Sequence, residues 1–108
     1  MQNSSGCSAE FTEPYALRVL GATMLPEFKD GDIIIVDPGH PLCHGVYAVI
    51  EYKNEVFFGQ YLEKQASKWM SYLNDEANNF ELESSFIVKG VVIQRSNGRR
   101  KYLKHYQY

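Results

Sequence analysis

The sequence predicts a mostly β fold, a compact sandwich or partly open barrel with little helix. Three observations carry this reading. The apolar residues gather in short runs rich in Val, Ile, Tyr and Phe, too short for helices and of the type that packs on a pleated surface. Gly, Pro, Asn and Asp punctuate the runs with turn chemistry, and helical periodicity is almost absent.

In chain order, Leu17-Arg18-Val19-Leu20 reads as a brief strand running into Gly21, and Asp32-Ile33-Ile34-Ile35-Val36 as a buried strand. Between them lies the one helical candidate, residues 25–28, which Pro26 would open as a first-turn residue. Asp37-Pro38-Gly39 and His40-Pro41 break the chain, and Val46-Tyr47-Ala48-Val49-Ile50-Glu51-Tyr52 follows Gly45 as the next strand. Lys53-Asn54 reads as a hairpin tip, and Glu55-Val56-Phe57-Phe58-Gly59-Gln60-Tyr61-Leu62 as the return strand. Gly59 in its interior calls for an explanation, because glycine has no side chain to pack. Lys68-Trp69-Met70-Ser71-Tyr72-Leu73 and Phe86-Ile87-Val88-Lys89-Gly90-Val91-Val92-Ile93 are the last strands, separated by the polar loop 74–79.

At 108 residues with a formal charge of −2 the chain fits one small domain, divided into a linker over 1–14, a folded domain over 15–94 and a basic, aromatic extension over 95–108. No stretch approaches the roughly 18 apolar residues of a membrane span, and the polar start lacks the features of a secretory signal, so a cytoplasmic protein is expected. Cys7 and Cys43 are expected as free thiols in that compartment. Residues 1–94 hold all 13 acids and six bases, a net −7, whereas the last fourteen hold five bases and no acid, a net +5. Basic residues interleaved with Tyr102, His105, Tyr106 and Tyr108 are a pattern used for nucleic acid, but without a reading element the favoured account is a tail lying against an acidic body, its own or a second copy's. His40, Cys43 and His44 raise the question of a metal, yet there is no second half-site at ligand spacing, and neither a metal nor a cofactor is expected.

The run from Leu17 through Gly21-Ala22-Thr23-Met24 to Gly31-Asp32-Ile33-Ile34-Ile35-Val36-Asp37 resembles the core motif of the LexA-type self-cleaving peptidases, which include LexA, the C-terminal domains of lambda-type phage repressors and UmuD. Gly45-Val46-Tyr47-Ala48-Val49, the strand from Glu55, the turn over 72–78 and Lys89-Gly90-Val91-Val92-Ile93 extend the likeness across about residues 15–94. The resemblance implies a LexA-like β domain and, in active members, a serine whose proton passes to a lysine of depressed pKa. Thr23 stands at the serine's place and Gly59 at the lysine's, with Met24 and Gln60 as neighbours. A threonine without a base is a poor nucleophile at neutral pH, and Lys53 or Lys64 would need a register shift that reverses the strand's faces. The family's small-residue cleavage pair is also replaced by Ser5-Gly6-Cys7, much nearer to Thr23.

The expectation is therefore a pseudo-peptidase with no catalytic residues, in which Thr23 caps the following turn. Its implied role is dimerisation and regulation of a transcriptional repressor, DNA being met only through a helix-turn-helix domain that these residues do not include. The tail over 95–108 is expected to support the homodimer. One alternative is a UmuD-like accessory protein that binds a polymerase or a repressor. The other is an active serine- or threonine-type peptidase with a displaced base.

Overall fold

A computed structural model describes residues 13–97 and 103–108 of the protein. Cys7, the Ser5-Gly6-Cys7 segment, most of the expected linker and part of the basic tail lie outside the described residues. Eight strands form one antiparallel sheet: β1 (Tyr15–Arg18), β2 (Ile33–Asp37), β3 (Tyr47–Tyr52), β4 (Glu55–Lys64), β5 (Ser67–Ser71), β6 (Phe80–Glu81), β7 (Ile87–Ser96) and β8 (Leu103–His105). Their order is β1-β2-β7-β3-β4-β5-β6, with β8 added to β7. The mostly β expectation holds, and the sheet is open, with no pairing between β1 and β6 among the described residues.

The inner strands β2 and β3 follow from their side-chain patterns. In β2, Ile34 and Val36 are buried while Ile33 and Ile35 are half-buried, so the apolar run is buried through one face rather than both. Ala48, Val49 and Ile50 of β3 are all buried, as suits a strand covered on both sides. One core cluster joins Ala48, Ile50, Tyr61, Met70 and Val91, and a second joins Val19, Met24, Phe28, Ile34, Val49 and Val92. Lys53 and Asn54 both take positive φ, 51° and 68°, which is the backbone of a two-residue hairpin turn that follows the twist of β3 and β4.

β7 is the long central strand and it carries two bulges. Against β2 the register passes from Ile35–Gln94 to Val36–Val92, leaving Ile93 over. Against β3 it passes from Val49–Gly90 to Ile50–Val88, leaving Lys89 over. A bulge residue drops out of the ladder, and its backbone groups need partners elsewhere. The Lys89 carbonyl accepts the Tyr15 hydroxyl at 2.8 Å, and the Ile93 carbonyl accepts the Tyr106 amide at 3.0 Å.

The expected helix over 25–28 is a succession of turns instead. The Leu25–Pro26 peptide is cis, and the segment closes one helical-type bond, from the Phe28 amide to the Met24 carbonyl at 2.9 Å. A single turn gains too few bonds to propagate as a helix. Two strands, β6 and β8, do not stand out in the sequence. The 3-10 turn Glu76–Asn78 lies inside the loop read as polar.

Candidate functional site

The turn after β1 carries Thr23 to the rim of a groove of about 710 Å³. Val19, Ile34, Val49 and Phe58 contribute apolar lining from four different segments, and Tyr72 and Phe80 add aromatic lining. Leu20 is 78% exposed and Val56 62%, so the mouth of the groove is apolar as well. Arg18 and Asp75 are the charged residues on its lining, and no lysine or histidine lines it among the described residues.

Thr23 is exposed and Met24 beside it is fully buried in the second core cluster. The turn is held by hydrogen bonds to its backbone. Asn74 donates its amide to the Thr23 carbonyl at 2.8 Å and its side-chain amide to the Ala22 carbonyl at 3.1 Å. The Gly21 amide donates to Asp30 at 2.6 Å, and the Gly31 amide to the Val19 carbonyl at 2.7 Å. The expected capping role of Thr23 is not seen: the Leu25 amide goes to the Ala22 carbonyl and the Phe28 amide to Met24, without the Thr23 hydroxyl. Backbone acceptors already fill the place of a cap.

Gly59 faces Ala48 across the β3–β4 ladder and is buried. By strand alternation it shares a face with Phe57 and Tyr61, which pack with the first cluster, whereas Phe58 packs with the second. A Cβ at residue 59 would lie 3.0 Å from the Ser71 carbonyl oxygen and 3.3 Å from Met70 Cε, so the glycine accommodates the close approach of β5. Gln60, one position on, donates its side-chain amide to the Gly45 carbonyl at 3.0 Å. Lys53 and Lys64 place their ammonium groups over the rings of Tyr52 and Trp69, at 5.2 and 5.5 Å.

The histidines have separate tasks. His44 Nδ1 accepts the Glu63 amide at 2.9 Å, and His40 packs edge-on to Tyr108 with its Nδ1 2.9 Å from the Pro41 carbonyl. Cys43 is exposed and free, and no group of three metal-ligating side chains gathers among the described residues.

What sequence reasoning missed is the second support of the Thr23 turn. The Glu27 carboxylate accepts both Lys104 Nζ and the Tyr106 hydroxyl, each at 2.6 Å, and the Tyr106 ring stacks on Phe28 at 5.7 Å. Burial alone would raise the Glu27 carboxyl, but these two hydrogen bonds and the charges of Lys104 and Arg95 outweigh it and hold it below the ordinary value. Burial, with Glu27 beside it, drives the Tyr106 hydroxyl strongly upward, so it stays a donor. Tyr72, in the groove, is likewise raised by burial and then by Asp75 and Glu55.

The sequence pattern of a family described as Peptidase S24-like matches residues 4–93. The prophage repressor CohE of Escherichia coli (strain K12) is 32% identical over 94 residues, which cover 83% of this chain and 42% of that protein. The chain thus spans less than half the length of the curated relative it matches.

Proposed function

The chain belongs to the Peptidase S24-like family, and from that membership we propose that it is the regulatory, self-associating domain of a repressor and does not cut itself. The likeness to a prophage repressor supports a repressor-like LexA-type domain. One observation carries the finer reading: the groove beside Thr23 has no lysine or histidine on its lining among the described residues, while Gly59, at the place where the resemblance puts the base, has the β5 backbone against it. A hydroxyl with no base in reach remains protonated and weakly nucleophilic at neutral pH. What is left for such a domain is to bind, through its sheet surfaces to a second copy and through its apolar groove to an extended segment.

The test is to incubate the purified chain at alkaline pH, where a lysine base would be neutral, and to follow its mass and its oligomeric state. An intact mass with a dimer in solution is the expected result. A cut that disappears in Thr23→Ala would make the domain a peptidase, and an intact monomer at all concentrations would remove the association role.

A further inference from the structure

We propose that β8 together with Tyr106 and Tyr108 is an intramolecular strap that couples the C-terminal segment to the Thr23 turn, with Glu27 as the positioning residue. β2 occupies one edge of β7, and β3 occupies the other only as far as Val91. β8 takes the rest of that second edge, pairing Gln94–His105, Arg95–Lys104 and Ser96–Leu103. Beyond the ladder, the Tyr106 amide uses the carbonyl that the Ile93 bulge leaves over. The Tyr108 hydroxyl donates to the Val92 carbonyl at 2.7 Å and accepts the Tyr47 amide at 3.3 Å. From this base the strap reaches the turn by three contacts, the Lys104 and Tyr106 hydrogen bonds to Glu27 and the stack of Tyr106 on Phe28.

These contacts fall at the opposite end of the turn segment from those of Asn74. The turn is therefore clamped twice, by Asn74 at Ala22 and Thr23 and by the strap at Glu27 and Phe28, with the Phe28–Met24 backbone bond between the clamps. Loosening the strap leaves the rim of the groove held from one side. Coupling between two sites is reciprocal, so whatever fills the groove and moves Thr23 is also felt at the C-terminal segment. The inference does not depend on whether the domain associates or cuts.

The groups that face Glu27 are Lys104 and Tyr106 from the strap, Arg95 from β7, which also lies 3.7 Å from Asp32, and the tyrosines 47 and 108. Glu27 titrates below the ordinary carboxylate value, so its contribution is complete above that value and is lost as the pH falls through its own lower one. The pair is partly exposed, so added salt weakens it too.

The experiment is amide hydrogen exchange by NMR on the intact chain and on Glu27→Gln and Tyr106→Phe. In both variants the amides of Tyr106, Phe28 and Asn74 are expected to exchange faster together, by about fivefold or more, while that of Leu82, bonded to the Lys68 carbonyl in the other half of the sheet, is unchanged. In the unaltered chain the same three amides lose protection on acidification, relative to intrinsic rates, and in Glu27→Gln they do not. Faster exchange at Tyr106 with Phe28 and Asn74 unmoved would reduce the strap to a surface strand. An equal rise at Leu82 would show a global loosening and would also overturn the coupling.

Discussion

Two glycines show how far single residues are governed by a neighbour that the local sequence does not name. Gly90 has φ +151°, and a Cβ there would sit 2.4 Å from Val36 Cγ1 and 3.0 Å from the Asp37 carbonyl carbon, on the neighbouring strand β2. Gly59 has ordinary strand geometry and a milder approach, 3.0 Å to the Ser71 oxygen. Gly90→Ala is therefore expected to be the worse of the two, costing about 3 kcal/mol or more from combined backbone strain and overpacking, against about 1–2 kcal/mol for Gly59→Ala. Urea denaturation of both variants measures this, and the reverse order would contradict the geometry. The sequence marked Gly59 as anomalous but held no sign of its cause, since β5 approaches it through backbone. Gly90 could be read only as part of a motif. Asp32 is similar: the sequence reads it as the first residue of a strand, and it is a buried carboxylate that accepts the Lys29 amide at 2.9 Å and faces Arg95, more than sixty positions away.

At the scale of elements, the strands with their own apolar pattern were legible and those that borrow stability were not. β2, β3 and β4 carry continuous or alternating apolar runs, and the Lys53-Asn54 turn lies where the pattern placed it. β6 is two residues long and β8 three, all of the latter exposed, and each exists because a longer strand offers it an edge. The turn over 25–28 was misread for a related reason: Pro26 is a helix-opening residue by local rule, but Met24 and Phe28 are drawn into the core and the chain must reverse at once into β2. The bulges of β7 are another feature invisible locally, and they create a demand that distant residues meet, by a side chain at Lys89 and by a backbone amide at Ile93. Tyr15 answers the Lys89 carbonyl, so Tyr15→Phe removes one hydrogen bond and leaves a partly buried acceptor, at a cost of about 0.5–1.5 kcal/mol. Thermal unfolding of that variant gives the value, and a neutral result would mean that water replaces the hydroxyl.

For the whole molecule, the division of charge visible in the sequence becomes a way of placing the C-terminal segment on the body. The acidic body offers Glu27, and the basic segment answers with Lys104 and, through Arg95, with the contact to Asp32. The described part of the tail, residues 95–97 and 103–108, therefore lies against its own chain, one of the two places that the charge count leaves open, and its inner side is committed there. Its outer side is different: Leu103 is 46% exposed, and β8 has no further strand beside it among the described residues. An edge strand of this kind can accept another strand, and a second copy of the same chain offers the same edge. Ending the chain after Asn97 removes both sides at once. Uncovering the Phe28 and Tyr47 rings is expected to lower stability by about 2 kcal/mol or more, because Tyr106 contacts both of them. The loss of the edge is expected to shift the chain toward monomer. Sedimentation equilibrium beside urea denaturation separates the two effects: Glu27→Gln, which loosens the strap and keeps β8, should leave association intact, whereas the shortened chain should lose both stability and association. If the shortened chain associates as before, the contact lies on another face of the sheet and the tail acts only within its own chain.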